Sequence, residues 1–446
     1  MRSSEAERNA KRFAQLGREL SALRGHESAT ADAPFAFWVP GRIEVLGKHT
    51  DYGGGRSLLC AVARGICVLA HARGDRPRSA RTVTLVRMRD TQSGETAEFD
   101  VSPAVESAPG HWSNYPITVA RRIATNFSGA MRGADIVFAS DLPPAAGVSS
   151  SSALVVASFL ALSAVNDLPA RPEYGDNIRS LEDLAGYLGS VENGLDFGSL
   201  SAHTGVGTFG GSEDHTAILC SLPNRVLQYA FCPVAFERAI ALPHGYRFVV
   251  AASGVRAEKA GPALEQYNRV ARRLSIGLEC WRRMTHRVDA CMGAALASSP
   301  NALDRMRDIL GAAGDADYPP QSLIERVDQF DAESNDIIPA AGDALARGDL
   351  ATFGQLVARS QRGAEIGLNN QIPQTVALVR QARDLGAVAA SAFGAGFGGS
   401  VWALVQSTRV EPFRHRWAAE YTAAFPEAAR FADFFATDAG PPAATL

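Results

Sequence analysis

A strand, a serine-rich turn and an apolar helix follow one another in the middle of this sequence. Residues Ala134–Ser140 have the apolar, β-branched character of a buried strand, and residues 153–162 form a run typical of a buried helix. The turn between them contains Gly147 and four consecutive serines. N–H groups in the first turn of a helix lack intrahelical acceptors, so they bind phosphate where small residues let the anion approach. The alternative is an ordinary serine-rich helix cap without a ligand.

Length and composition indicate a globular protein of two domains. A chain of 446 residues is long for one hydrophobic core, so we expect an N-terminal domain over residues 1–225 and a C-terminal domain over 226–446. This boundary is approximate, and the chain is able to cross back over it. Hydrophobic residues make up 46% and charged residues 20% of the sequence, as in globular proteins. The net charge is −3, with both signs spread along the chain, which argues against nucleic acid or a membrane surface as the partner.

The cysteines and the apolar stretches predict a cytoplasmic protein. The six cysteines are scattered without metal-ligand spacing, and several lie in apolar segments as buried free thiols do in a reducing compartment. The first residues are charged and no apolar stretch follows them, so we expect no signal peptide. No uncharged apolar run is long enough to span a bilayer. We expect the protein to be a monomer with a small-molecule substrate.

A second informative stretch, residues 40–55, places a polar cluster between glycines. Ile43 and Val45 alternate with polar residues as in a half-buried strand. The loop that follows contains Lys48, His49 and Asp51. Because sugar hydroxyls both donate and accept hydrogen bonds, a loop with donors and a carboxylate suits a polyhydroxylated ligand. A solvated polar turn is the alternative.

Three further features are ambiguous on their own. Trp112 lies in an aromatic patch before a predicted helix and is either a core aromatic or a platform for a base. Asp214 follows a glycine pair and precedes an apolar run, so it is either a helix cap or a catalytic base beside a bound hydroxyl. Residues 393–400 contain four glycines, which suits either a flexible turn or close approach of the backbone to a ligand.

Taken together and in this order, these stretches resemble the GHMP small-molecule kinase superfamily, and within it the galactokinase family. Residues 40–55 are similar to the galactokinase signature, the serine turn to the phosphate-binding motif of the superfamily, and residues 393–400 to its C-terminal glycine motif. The matching residues are Gly41, Arg42, Gly47, His49, Thr50, Asp51 and Tyr52; Pro143, Gly147, Ser149, Ser150 and Ser151; and residues 394–399.

The resemblance implies a two-domain α+β fold with the active site in the cleft between the domains. It also implies transfer of the ATP γ-phosphoryl group to the anomeric hydroxyl of a monosaccharide, with Mg²⁺ as cofactor. Asp214 and Arg42 would be catalytic, and Ser151 and Glu192 would bind the metal. The residues implied for the sugar are Lys48, His49, Asp51, Gly211 and Tyr267, and those implied for ATP are Gly147, Val148, Ser149, Ser150, Ser151, Ser152 and Trp112.

The sequence also departs from the pattern of the family. Lys48 stands where galactokinases have an acidic residue that contacts a sugar hydroxyl, and Glu44 replaces an Asn. One hypothesis is that Lys48 pairs with an anionic group on a modified sugar, and the other is that Lys48 and Glu44 compensate each other and the substrate is galactose. The interval between Glu192 and Asp214 is long for the family. The remaining departures are Ala145, Ser152 and His215. Another GHMP substrate and a non-catalytic sugar sensor are further alternatives.

Overall fold

The computed structural model describes residues 2–25, 33–73, 84–144, 146–256, 261–313 and 317–446. Within these ranges the strands are β1 (Phe35–Leu46), β2 (Arg56–Ala72), β3 (Leu85–Asp90), β4 (Thr96–Asp100), β5 (Ala134–Ser140), β6 (Arg225–Ala230), β7 (Ala235–Ala241), β8 (Tyr246–Ala252), β9 (Ala389–Phe393), β10 (Ser400–Gln406), β11 (Asp433–Thr437) and β12 (Ala444–Thr445). Ala145, one of the departures noted above, lies outside the described residues.

The helices lie between and after these strands. They are α1 (Arg2–Arg24), α2 (Asn114–Asn126), α3 (Ser150–Asn166), α4 (Pro172–Asn177), α5 (Leu181–Asn193), α6 (Glu213–Cys220), α7 (Gly261–Thr285), α8 (Met292–Leu296), α9 (Ala302–Ala313), α10 (Pro320–Asp331), α11 (Ile338–Ala346), α12 (Leu350–Gly363), α13 (Pro373–Asp384), α14 (Val410–Ala424) and α15 (Pro426–Ala429). A 3₁₀ turn covers Asp51–Gly53, and π-helical segments cover Ala332–Ile337 and Ala364–Leu368.

Two sheets organise the chain. The first has the strand order β12-β1-β2-β5-β3-β4, with β6 pairing to β2 and β7 to β6. Its pairs are antiparallel except β3 with β5. The second sheet is antiparallel, in the order β11-β8-β10-β9. The predicted mixed fold of helices and strands is therefore confirmed. Strands β6 and β7 belong to the first sheet, and β12 returns to it from the C-terminus, whereas the division at residue 225 stays a prediction.

The predicted strand, turn and helix form the centre of the first sheet's core. Strand β5 pairs with β2, and α3 begins at Ser150 and packs against β1, β2, α2 and α6. Most of α3 is buried, including Leu154, Val155 and Phe159, because its sequence is apolar on all sides. A buried helix cannot shift without opening the core, so its N-terminus is held in a fixed place.

The second sheet and several of the other helices form two further cores. Helices α13 and α14 cover β9 and β10 around Trp417 and Leu378. Helices α7, α9 and α10 form a separate core around Trp281 and Phe330. Loop residues 394–399 connect β9 to β10 and reach back to the serine turn, where Ser400 Oγ donates a hydrogen bond to the carbonyl of Ala146 at 2.5 Å. This contact joins the glycine-rich stretch 393–400 to the serine turn.

Candidate active site

A cleft of about 1040 Å³ brings together most of the predicted site residues. Those that line it are Arg42, His49, Asp51, Trp112, Gly147, Ser149, Ser150, Ser151, Ser152, Glu192, Gly211, Asp214 and Tyr267. Val148 and Lys48 do not line it. The three separate sequence stretches therefore meet in one concave site, as a binding site for a small molecule requires.

The serine turn presents backbone and hydroxyl groups at one end of this cleft. Gly147 has φ of 74° and Ser149 has φ of 60°, so the chain is left-handed on both sides of Val148. Ser149 is the N-cap of α3, and its buried hydroxyl has no hydrogen-bond partner among the described residues. The side chain of Val148 is buried in the core, and its carbonyl accepts the Arg42 backbone N–H at 3.2 Å. This helix entrance can therefore gain hydrogen bonds from an anion.

Arg42 connects the serine turn to Asp214. Its Nε and Nη2 atoms lie 2.8 and 2.7 Å from Asp214 Oδ1, and its Nη1 donates to the Gly147 carbonyl at 2.5 Å. Burial alone would lower the pKa of Arg42, but the nearby carboxylates of Asp214, Glu213 and Glu44 raise it overall. The guanidinium is thus a permanent cation held between the two ends of the cleft.

Asp214 lies in the first turn of α6, within a short polar network. The Ser152 hydroxyl is 3.2 Å from Asp214 Oδ2 and 2.8 Å from Glu192 Oε2. His215 Nε2 lies 3.1 Å from the same Glu192 oxygen. Ser152 and His215, two departures from the family pattern, therefore both contact Glu192. The network holds two carboxylates close to the N-terminus of α3.

The polar loop after β1 forms the opposite end of the cleft. His49 has φ of 58°; its Nδ1 lies 3.1 Å from the Tyr52 hydroxyl and its Nε2 lies 3.0 Å from the Ala395 carbonyl. The ring of Tyr267 is 5.4 Å from the His49 ring. Asp51 Oδ2 accepts the backbone N–H of Glu213 at 3.1 Å. These contacts bring groups from β1, α6, α7 and the glycine loop to one end of the site.

Two residues that sequence reasoning left unassigned hold the loops at this end of the site in place. Arg326 is fully buried and donates from Nη2 to the His49 carbonyl at 2.5 Å and to the Tyr52 hydroxyl at 3.0 Å. Asn193 accepts the Gly210 N–H at 2.8 Å and donates to the Gly211 carbonyl at 3.1 Å. A Cβ at Gly211 would overlap the Asp51 carboxylate, which explains a glycine there. No spacing in the sequence points to Arg326, because its partners lie far away along the chain.

Buried carboxylates dominate this end. Burial raises the pKa of Asp51 and, with Glu44 and Asp51 nearby, raises the pKa of Glu213 well above its usual range. Burial also raises the pKa of Glu44 to about 7, although Lys48 and Arg42 act in the opposite direction. Glu213 accepts a hydrogen bond from the Ser57 hydroxyl at 2.7 Å. Such a site suits a neutral ligand with many hydroxyl donors and disfavours an anionic one.

Lys48 is not brought to the cleft, contrary to the expectation that it contacts the substrate. Its side chain is 0% exposed, and its amine donates to the Ser360 hydroxyl at 3.1 Å. Ser360 in turn donates to Glu333 Oε1 at 2.8 Å, and the same oxygen accepts the Gly47 N–H at 3.0 Å. The amine is therefore directed to α12 and the π-helical segment. Its influence on Glu44 favours the hypothesis of mutual compensation.

Trp112 lies near the serine-turn end of the cleft. Its indole N–H donates to Glu95 Oε2 at 2.8 Å, and its ring is 5.4 Å from the ring of Phe138. Leu142 and Ile66 line the same part of the cleft. These side chains form an apolar part of the cleft, which suits the flat face of an aromatic ligand group.

Comparisons with known proteins agree with this site. Three family models match the chain: the galactokinase galactose-binding signature over residues 25–72, the N-terminal domain of GHMP kinases over 114–197, and the C-terminal domain of GHMP kinases over 343–423. The galactokinase of Roseiflexus sp. strain RS-1 is 29% identical over 86% of this chain and 86% of its own length. The galactokinase of Actinobacillus pleuropneumoniae serotype 5b is 25% identical over 90% of this chain and 93% of its own length.

The chain therefore matches the galactokinase signature together with both domains of the GHMP kinases. The fold agrees: the structure of Lactococcus lactis galactokinase in complex with galactose has a TM-score of 0.77 at 21% identity, covering 97% of this chain and all of that one. The structure of a mevalonate kinase from Methanococcus jannaschii has a TM-score of 0.52 at 11% identity, and the match covers 92% of this chain and all of that one. The predicted fold class is thus confirmed as the GHMP kinase fold.

Proposed function

We propose that this protein transfers the γ-phosphoryl group of ATP to the anomeric hydroxyl of galactose. The observation that carries the proposal is the ion pair of Arg42 with Asp214. It lies where the serine turn meets the polar loop between β1 and β2 (residues 47–55), which we call the sugar loop. A phosphoryl donor at the turn and an acceptor hydroxyl at the loop would approach each other at this pair. Phosphoryl transfer needs mainly positioning and electrostatic stabilisation, and this arrangement supplies both.

The serine turn is the proposed site for the nucleotide phosphates. Gly147 leaves room for the backbone of the glycine loop, because a Cβ there would lie 3.2 Å from the Phe393 carbonyl. The N–H groups of Ser150, Ser151 and Ser152 begin α3, and the unpartnered Ser149 hydroxyl would gain an acceptor from a phosphate oxygen. The adenine base would then lie against Trp112.

Asp214 is the proposed base or orienting group for the acceptor hydroxyl. The adjacent guanidinium of Arg42 favours its ionised form and would offset negative charge that builds on the transferring phosphoryl group. His49, Asp51 and Tyr267 are proposed to bind the sugar. Asp51 supplies acceptors for sugar hydroxyls, and the His49–Tyr267 pair provides an aromatic wall.

Ser151 and Glu192 are the residues proposed to hold Mg²⁺. Both line the cleft beside the serine turn, and both offer the hard oxygen donors that Mg²⁺ prefers. Among the described residues no three His, Cys, Asp or Glu side chains group as a metal site of their own, so a bound ion would need phosphate oxygens as well. When bound, Mg²⁺ would neutralise charge on the phosphate chain.

Galactose is favoured over a uronic acid because the sugar end of the cleft is rich in carboxylates and Lys48 is buried outside it. In the described ranges, no helix combines the length and the apolar character needed to cross a bilayer. The monomeric state and the cytoplasmic location remain predictions.

The test is an ADP-release assay over a panel of neutral hexoses, pentoses and uronic acids, with ATP and Mg²⁺. We expect the highest kcat/KM with galactose, and phosphorus NMR should show phosphate coupled to the anomeric proton of the product. Turnover with uronic acids alone would instead support the hypothesis that Lys48 pairs with an anionic group on the sugar. Binding of sugar and ATP without turnover on any acceptor would contradict the proposal and indicate a sensor.

A further inference from the structure

Two cysteines from distant parts of the chain meet behind the sugar loop. Cys232 lies in the turn between β6 and β7, and Cys291 is the residue before α8. Their Cβ atoms lie 3.4 and 3.0 Å from the point that a Cβ on Gly54 would occupy, so both pack against the same glycine. The Cys291 Sγ atom lies nearer still to that point. Disulfide bonds need Cβ atoms a few ångströms apart, and the shared contact with Gly54 brings these two cysteines close together.

The two thiols differ in exposure and in acidity. Cys232 is exposed, whereas Cys291 is buried beneath it. The hydrogen bond from Cys232 lowers the pKa of Cys291, and the backbone N–H groups of Ala294 and Gly293 add to this effect. The same interaction raises the pKa of Cys232. When Cys291 is a thiolate, Cys232 therefore keeps its proton, and the two thiols titrate as a pair. A thiolate next to an accessible thiol is the arrangement in which oxidation is selective.

The pair also contacts the backbone of the sugar loop. The Cys232 sulfur lies 3.6 Å from the carbonyl of Asp51 and 4.0 Å from that of Tyr52. Gly54, on which both cysteines pack, directly follows the 3₁₀ turn Asp51–Gly53. A covalent bond between the sulfurs would remove the thiol donor from the Asp51 carbonyl and draw the Cys232 sulfur towards α8.

We propose that Cys232 and Cys291 are an oxidation site at which hydrogen peroxide forms a disulfide, and that this disulfide weakens sugar binding. The Cys291 thiolate attacks one peroxide oxygen and becomes a sulfenic acid, and the other oxygen leaves as hydroxide. The Cys232 thiol then attacks the Cys291 sulfur, the disulfide forms and water leaves, so one peroxide is reduced for two thiols oxidised. The effect on sugar binding rests on the function proposed above, whereas disulfide formation does not.

The first experiment treats the full-length protein with one equivalent of hydrogen peroxide and maps its peptides by mass spectrometry without reduction. We expect a peptide pair that joins Cys232 to Cys291, a mass loss of two hydrogen atoms, and reversal by dithiothreitol. Oxidation spread over the other cysteines, with no such pair, would overturn the proposal. This readout stands even if no sugar is phosphorylated.

The second experiment compares galactose affinity in the oxidised and reduced protein by calorimetry, and the KM values for sugar and ATP by turnover. We expect the sugar Kd and KM to rise several-fold on oxidation while the KM for ATP stays within error. An oxidised protein that contains the disulfide but binds galactose with unchanged affinity would contradict the effect on binding.

Two variants serve as controls. Cys232→Ser keeps a donor for the Asp51 carbonyl and should bind sugar as the reduced wild type does, yet lose its response to peroxide. Cys220→Ala removes a half-buried thiol at the end of α6 and should respond to peroxide as the wild type does. Equal peroxide responses in Cys232→Ser and the wild type would reject the pair as the site of oxidation.

Discussion

The two ends of the cleft offer a ligand different kinds of contact. The serine turn offers backbone N–H groups and hydroxyls at a helix entrance, and its own residues carry no charge. The sugar end has the buried carboxylates of Glu44 and Glu213 and the half-buried carboxylate of Asp51. Dipoles fixed by a buried helix can bind a polyanion without a counter-charge, whereas buried carboxylates would repel it. Arg42 stands between the ends and contacts both.

For the proposed reaction, the boundary between the two ends should therefore matter most. A phosphoryl group that moves from the turn to the sugar must approach a cluster of negative charge. The cation that contacts Gly147 and Asp214 is what makes this approach favourable. Substitutions at the boundary should therefore reduce activity most. Substitutions at the serine turn should reduce it least, because several hydrogen-bond donors there would contact the same phosphates.

The largest loss is expected for Asp214→Asn. This change keeps the shape of the side chain but removes the proton acceptor, so kcat should fall about 10³-fold. Sugar and ATP affinities, measured by calorimetry, should stay close to the wild-type values. A kcat within error of the wild type would remove Asp214 from the role of base.

Arg42→Ala should lower kcat/KM by about 10²-fold, since it removes the cation at the transferring phosphoryl group. Arg42→Lys is the matched variant: it keeps the charge but cannot contact Asp214 and the Gly147 carbonyl together. We expect Lys to recover only part of the loss. Circular dichroism of both variants checks that the fold is intact, and full activity in either would contradict the role of the guanidinium.

Glu44→Gln tests the cost of the buried carboxylates at the sugar end. The pKa of Glu44 rises from its ordinary value of 4.5 to about 7 in the folded protein. Between these values the folded state binds more protons than the unfolded state, so this group destabilises the protein as pH rises through that window.

From pH 5 to pH 8, the free energy of unfolding of Glu44→Gln should therefore increase relative to wild type by about 2 kcal/mol. Urea unfolding at both pH values measures the difference, with Glu98→Gln as an exposed control. A difference that does not change with pH would show that Glu44 is not perturbed.

The smallest effect is expected at the serine turn. Ser149→Ala removes one hydroxyl among several donors, so the KM for ATP should rise about fivefold, the equivalent of roughly 1 kcal/mol. The KM for sugar should not change. Ser163→Ala, farther along the same helix, is the control. A larger change in the KM for sugar than in the KM for ATP would contradict the proposal that the serine turn binds the nucleotide and the other end binds the sugar.

Local patterns in the sequence predicted the parts of the site that lie on single elements. Two apolar runs separated by a serine-rich turn predict a strand, a turn and a helix. The structure confirms them as β5, the serine turn and α3. Family resemblance added Arg42 and Asp214, which the structure brings into contact although they come from β1 and α6.

Tertiary contacts decided what the sequence left open. The resemblance implies that Lys48 contacts the sugar, yet its amine donates to Ser360, which in turn donates to Glu333. Both residues come from the C-terminal half, so the amine points away from the cleft. The contact of Cys232 with Cys291 and the return of β12 to β1 were also missed, because they depend on long-range packing that spacing does not reveal.

The central claim is that the serine turn holds the triphosphate while Asp214 faces the acceptor. A crystal structure with galactose and a non-hydrolysable ATP analogue tests it most directly. We expect the β- and γ-phosphates against the N–H groups and hydroxyls of Ser149 to Ser152, with the anomeric hydroxyl in hydrogen-bond contact with Asp214. A triphosphate bound away from this helix entrance, or a sugar whose anomeric hydroxyl points away from Asp214, would contradict the account.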